Sequence, residues 1–288
     1  MSTQTVREES VSSTNPVPKP PDLGPNLTGL VPIAHGSCST VYRADQPTVG
    51  RAVAVKIDNR TLDTELDRRR FRYEARATGR VSGHPHVIDL FDAGVSTDGH
   101  PYLVMELCTG SYTDRTGRTS PAEVRVIGTR IADALAAAHS AGVLHRDVKP
   151  GNILRTRFGS PVLADFGLAV LLDQRDGREG LDPLTPAYAP PESVELAQAL
   201  PSGDVYSLAA TMYALLAGHP PRLPDPGVPT TATLVELYRQ PVPALPGVPP
   251  ELLGVLRRAL ATDPADRPAA ADFRDLLNTL PVSEPVTS

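Results

Sequence analysis

The sequence predicts an α+β chain in two parts: a strand-rich first part with one helix, ending near residue 106, and a larger, mainly helical second part ending near residue 281. Three observations predict it. Residues 30–57 and 87–107 carry β-branched and aromatic runs broken by small-residue turns, the pattern of antiparallel hairpins. From residue 120 onward, apolar side chains recur at i, i+3 and i+4 in long segments, as in helices that bury one face. Within that second part, Val143 to Leu154, VLHRDVKPGNIL, fits neither period. His145, Arg146, Asp147 and Lys149 crowd five positions between apolar pairs, and Asn152 follows after Pro150 and Gly151. This reads as an irregular loop held by apolar ends, where a rigid scaffold usually carries its chemistry.

The chain has 288 residues, 40% apolar and 21% charged, so it can bury a core of one or two domains. Its formal charge of -5, from 28 basic and 33 acidic residues, offers no general basic field, and no nucleic-acid partner is expected. Cys38 and Cys108 are too few and too scattered for a disulfide framework or a metal site, and reduced thiols in a cytosol are the simplest reading. There is no apolar run of about 18 residues and no apolar signal at the N-terminus. A cytoplasmic chain without direct membrane insertion is expected. It stops within about ten residues of its last predicted helix, so a partner would have to take it to a membrane. Self-association as a homodimer is left open.

In order, residues 1–26 are rich in Pro, Ser and Thr and poor in apolar side chains, and are expected to be a disordered tail, either a site of autophosphorylation or simply solvated. Leu30 to Ala44 reads as two strands around a small-residue turn, and Ala52 to Ile57 as a third strand. Lys56 lies among Ala54, Val55 and Ile57, where an unpaired charge would be costly, so it needs a partner. The proposed partner is Glu74, 18 residues on, in a helix whose face is traced by Leu66, Phe71, Ala75 and Thr78. A solvated Glu74 among Arg70, Arg72 and Arg76 is the alternative. Val87 to Gly94 and Pro101 to Leu107 read as a hairpin turning at 97–99. Ser120-Pro121-Ala122-Glu123 has the cap, proline and acidic residue that start a helix, and Val124, Ile127, Ile131, Leu135 and Ala138 are its stripe. After the 143–154 loop come a short strand at Pro161 to Ala164, then Asp165-Phe166-Gly167. Val205, Leu208, Met212, Leu215 and Leu216 mark a buried helix, prolines after His219 a loop, and Val248 to Leu260 and Ala269 to Leu280 two closing helices. Residues 282–288 are expected to fray.

The 143–154 stretch resembles the catalytic loop of eukaryotic-like (Hanks-type) bacterial serine/threonine protein kinases, and Lys149-Pro150 is similar to the serine/threonine branch. Asp165-Phe166-Gly167 begins 18 residues after Asp147, the interval of such kinases, and TPAYAPPE at 185–192 resembles their T-P-x-Y-x-A-P-E, with Pro190 in place of Ala. The resemblance covers roughly residues 27–281 and implies a bilobed kinase fold: a small lobe to about 106, a hinge at 106–110 and a larger lobe at 111–281. It implies transfer of the ATP γ-phosphoryl group to protein Ser or Thr hydroxyls. In that reading Asp147 accepts the hydroxyl proton, Lys149 steadies the phosphoryl group, Lys56 paired with Glu74 holds the α- and β-phosphates, and Asn152 and Asp165 bind Mg2+ or Mn2+. The family's phosphate loop has three glycines, and here Ala34, Gly36 and Ser39 stand in their places, ahead of Val41. Only the middle glycine remains, which implies weakened or slower nucleotide handling. Val41, Ala54 and Leu154 are implied to sandwich adenine. Met105 would be the gatekeeper or ordinary core, and the backbones of Glu106 and Cys108 would face the adenine edge. Glu192 is implied to pair with Arg267, and Asp204 to reach the backbone of the catalytic loop. Between Asp165 and Glu192 only Thr185 and Tyr188 carry hydroxyls, while Asp173, Asp176, Glu179 and Asp182 carry charge. One of those carboxylates is therefore expected to satisfy Arg146, leaving activation independent of loop phosphorylation. A pseudokinase scaffold, suggested by Ala34 and Ser39, and a small-molecule phosphotransferase are the rival readings. Cys38, in the phosphate turn, and Cys108, at the hinge, are both expected near the nucleotide, with oxidation of Cys38 blocking ATP, against the plainer reading of buried inert thiols.

Overall fold

The small turn at Gly36 and the alternation on either side of it make the first hairpin. β1 (Thr28–His35) and β2 (Ser39–Gln46) pair antiparallel, and the Gly36 amide donates to the Ser39 carbonyl at 2.8 Å. The computed structural model describes residues 21–36, 38–166, 170–171, 187–194, 199–222 and 236–281. Beyond β2 come β3 (Arg51–Asp58), β4 (Leu90–Val95) and β5 (Pro101–Glu106), in an antiparallel sheet ordered β1-β2-β3-β5-β4. Alternation sorts its two faces. Tyr42, Ala44, Val53, Val55, Ile57 and Val104 bury one face around Leu27, while Leu103 and Met105 bury the other with Ile88, Val162 and Ala164. Leu23 packs on the first cluster, just ahead of the domain start expected at residue 27. The expected tails, 1–20 and 282–288, lie outside the described residues.

Helix α1 (Glu65–Val81) starts at a complete capping box, Thr64 with Asp67, and buries Ala77, Thr78 and Val81. Its apolar face is therefore not the one expected in full. Phe71 and Ala75 pack inward, but Leu66 is 49% exposed because the helix is buried only toward its C-terminal end. The expected strand at Val87 is also displaced. Residues 86–88 pair instead with Leu163, whose amide donates to the His86 carbonyl at 2.9 Å and whose carbonyl accepts from Ile88 at 2.9 Å. This short parallel contact ties the sheet to the second lobe.

That lobe is built on α2 (Pro121–Ser140), α3 (Pro191–Val194), α4 (Pro201–Ala217), α5 (Pro250–Ala259) and α6 (Ala270–Thr279). Ser120 caps α2 by accepting from the Glu123 amide, but the Glu123 carboxylate goes to Arg115 at 2.9 and 3.0 Å rather than closing a capping box. The expected stripe Val124, Ile127, Ile131, Leu135 and Ala138 is fully buried, as are Val205, Leu208, Met212 and Leu215 of α4. The two helices approach so closely that a Cβ on Gly128 would lie 2.3 Å from the Met212 side chain. Around this helical core, β6 (Gly110–Ser111), β8 (Ile153–Arg155) and β9 (Pro161–Leu163) make a small sheet, and β7 (Val143–Leu144) pairs with β10 (Val170–Leu171). The chain thus has the bilobed α+β architecture expected of it. Among the described residues no helix is long and apolar enough to cross a membrane.

Candidate active site

The 143–154 stretch runs from β7 through a 3-10 turn at Pro150–Asn152 into β8. Apolar ends pin it, since Val143, Leu144, Val148 and Ile153 are fully buried. Between them the backbone is held from below by α4. Asp204, 2% exposed, accepts from the His145 amide at 2.9 Å and the Arg146 amide at 2.7 Å, and lies 2.8 Å from His139 Nε2. Burial alone would raise the Asp204 pKa, but His139 and the Arg146 amide outweigh it and hold the carboxyl below the ordinary aspartate range. Arg146 sits at φ 70°, a left-handed conformation that costs a non-glycine residue of order 1–3 kcal/mol. The two amide bonds to Asp204, from His145 and from Arg146 itself, explain how it persists. Thr211 of α4 adds a bond to the Val148 carbonyl at 3.3 Å.

Above this platform the polar side chains interlock. Lys149 Nζ is 2.7 Å from Asp147 Oδ2, and the Asn152 amide nitrogen donates to the same oxygen at 2.9 Å and to the Asp147 carbonyl at 2.8 Å. The Asp147 amide donates to His145 Nδ1 at 3.2 Å, so the ring hydrogen is on Nε2, which donates to the Ala164 carbonyl at 3.1 Å. The same imidazole stands edge-on to Phe166, with centroids 4.7 Å apart. His145 therefore joins the loop to the Asp165 strand end, and the Ala164 amide completes the join on the Asn152 carbonyl at 2.9 Å.

Across the lobe boundary, Lys56 Nζ lies 2.6 Å from Glu74 and 2.7 Å from Asp165. The solvated alternative for Glu74 is thereby removed. Burial works against the ammonium, yet the two carboxylates more than reverse this and raise the Lys56 pKa above its ordinary value, so Lys56 is charged at any physiological pH. Asp165, like Arg146, has a positive φ, 67°.

The remaining expected residues line the same side of the sheet or its edge. Register places Ala34 opposite Val41, Val41 opposite Lys56, and Ala54 opposite Met105. Met105 is core, in the cluster against which Cys108 and Leu154 pack. A Cβ at Gly36 would meet the Ser39 carbonyl at 3.3 Å, so this one retained glycine sits at the tightest point of the turn. Burial, then the charge of Asp89, raises the Glu106 carboxyl pKa, and burial beside Glu106 pushes the Cys108 thiol up to about 12. Cys108 is thus the inert thiol of the two readings. Glu192 meets Arg267 in a two-pronged pair at 2.7 and 2.8 Å, with the Arg267 side chain fully buried. Gly167, the four loop carboxylates and Thr185 lie outside the described residues.

Sequence reasoning overlooked His139 and gave His145 no task. The signal was present: a histidine one position after the buried stripe of α2 is a polar group at the edge of a core, and such groups need a partner. Nothing local announces Tyr238, whose hydroxyl donates to the Ala189 carbonyl at 2.8 Å from a different segment.

For a divalent cation, the donor chemistry fits. The Asn152 amide gives its hydrogens to Asp147, which leaves Oδ1 as its acceptor, and Asp165 adds a carboxylate. Two hard oxygens suit Mg2+, which usually completes its octahedron with water and substrate phosphates. Among the described residues no group of three or more His, Cys, Asp or Glu stands ready to hold a metal unaided.

A carboxylate braced by a lysine and an amide, beside a second lysine shared by two carboxylates at the join of two such lobes, defines the class of the protein-kinase fold. The comparisons place the chain within it. The chain belongs to the protein kinase domain family, which matches residues 29–277. It is 42% identical over 248 residues to the serine/threonine-protein kinase PknK of Mycobacterium tuberculosis, covering 83% of this chain and 22% of that protein. Against serine/threonine-protein kinase PknL of the same organism identity is 38%, covering 83% of this chain and 61% of PknL. For PknH the figures are 35%, 83% and 39%. The chain spans less than two thirds of the length of each of these relatives.

Proposed function

We propose that this chain is an ATP-dependent serine/threonine protein kinase. The observation that carries the reading is two bonded sets at the lobe boundary: Lys56 with Glu74 and Asp165 at 2.6 and 2.7 Å, and Asp147 with Lys149 and Asn152 at 2.7 and 2.9 Å, joined where the Ala164 amide donates to the Asn152 carbonyl at 2.9 Å. The substrate hydroxyl oxygen forms its bond to Pγ as the bond from Pγ to the β-γ bridging oxygen breaks, ADP leaves, and Asp147 takes the hydroxyl proton. Asn152 and Lys149 keep the Asp147 carboxylate aimed. Lys149 then neutralises charge on the transferring group, while Lys56, held by Glu74, anchors the α- and β-phosphates. Asn152 and Asp165 would hold Mg2+ or Mn2+, which would supply charge neutralisation. Ala34, Gly36 and Ser39 cover the phosphates, and Val41, Ala54, Leu154 and the backbones of Glu106 and Cys108 hold adenine. The segment ending at Glu192 receives the protein substrate.

The same reading includes phosphorylation of its own N-terminal hydroxyls, a role in bacterial signalling in the cytoplasm, and activation without a loop phosphate. Wild-type protein with labelled ATP and Mg2+ is expected to label itself or a generic basic protein, and Asp147→Asn to lose this at least a thousandfold while still binding ATP. Absence of transfer by wild type with Mg2+ or Mn2+ would establish the scaffold instead. Stoichiometric phosphate on Thr185, required for activity, would overturn phosphate-independent activation.

A further inference from the structure

We propose that Tyr238 is a positioning residue for the protein substrate, and that Arg222 braces it. The proposal rests on the kinase reading and on the segment before Glu192 receiving that substrate. Residues 187–190 read Ala-Tyr-Ala-Pro, and Pro191 opens α3. Pro190 and Pro191 have no N–H, so over this dipeptide the backbone can be fixed only through carbonyls and side chains. The Glu192 side chain is fixed by Arg267. Upstream of the prolines, the fixed group is the Ala189 carbonyl, which accepts from the Tyr238 hydroxyl at 2.8 Å.

Tyr238 is built to hold that bond. Its ring is 5% exposed and stands edge-on to Tyr206 of α4, with centroids 6.3 Å apart at 70°. Its own carbonyl accepts from Thr262 at 3.0 Å. Beneath both rings lies Arg222, 8% exposed, which donates to the Tyr206 hydroxyl at 3.0 Å and to the Leu260 and Gln240 carbonyls at 3.2 and 3.4 Å. Its guanidinium carbon is 5.7 Å from the Tyr238 ring centroid and 6.0 Å from that of Tyr206. Among the described residues the buried Arg222 Nε has no hydrogen-bond partner, while the guanidinium faces both rings. The Ala189–Pro190 peptide plane, and with it the wall the substrate meets, is therefore set by a tyrosine on another segment.

Tyr238→Phe removes the bond and keeps the ring. Steady-state kinetics on a generic basic protein are expected to show the KM for that protein raised five- to tenfold, with kcat and the KM for ATP within twofold. Amide hydrogen exchange over residues 187–194 should quicken at least tenfold in the variant, with α4 unchanged. Arg222→Lys should show the same pattern more weakly. The proposal is overturned by an unchanged KM for the protein substrate, by a KM for ATP that rises in step, or by unchanged exchange at 187–194. If the wild type transfers no phosphate, the kinase reading and the substrate role fail together, while the exchange measurement still decides the anchoring.

Discussion

Replacing Asp204 by Asn isolates what holds the catalytic loop in place. The carboxylate accepts from two backbone amides and faces His139 Nε2, all within 2.9 Å. Asparagine offers one acceptor oxygen, and its NH2 must point at an N–H it cannot bond. At least one charge-assisted bond is lost, worth about 1.5–3 kcal/mol, and one buried donor is left facing another at about 1–3 kcal/mol. The sum, about 2.5–6 kcal/mol, acts next to Arg146, whose φ of 70° depends on those bonds. For a domain of this size it lowers the melting midpoint by about 5–24 °C. A shift of about 1 Å in Asp147 is enough to lower kcat about a hundredfold. The assay is phosphate transfer at a temperature where far-UV circular dichroism shows both proteins folded, with urea unfolding in parallel. Nucleotide affinity should change less than threefold, because Lys56 is held by other groups. The sign with pH follows from the lowered pKa. The carboxylate's contribution is complete at neutral pH, above the unfolded aspartate value of about 3.9, and is lost as pH falls through the lower folded value. A variant with kcat within threefold of wild type while folded would refute this account of the loop.

Two further outcomes follow from burial. Arg267→Ala strips a fully buried guanidinium from Glu192 and should cost about 3–5 kcal/mol in urea unfolding, with Arg267→Lys restoring only part because an ammonium cannot make the two-pronged pair; a loss below about 1 kcal/mol would contradict it. Native protein treated with iodoacetamide at pH 8 should be modified at exposed Cys38 and spared at Cys108, whose thiol is pushed up to about 12, until denaturant is added; rapid native labelling of Cys108 would refute this.

How much was legible in the sequence differed with the range of the interaction. Elements whose period and caps are local, such as α2 with Ser120, Pro121 and its stripe, were legible almost to the residue. The catalytic set was legible because its motifs are contiguous or at fixed intervals, and because Lys56 in an apolar strand demanded a partner. Two features failed for one reason. Val87 has strand character, but its partner, Leu163, lies more than seventy residues away, and Leu66 fits the α1 stripe by spacing while the lobes bury only the far end of that helix. Tyr238 belongs with them: a tyrosine in a polar stretch carries no mark of the carbonyl it holds.

Arg146 and Asp165 are the two non-glycine residues with positive φ among those described, and both belong to the site. Neither conformation is one the local chain prefers, and that of Arg146 is held by Asp204 of α4. A chain whose α4 core is loose keeps every one of those side chains but loses the Asp204 bonds that hold the backbone at Arg146.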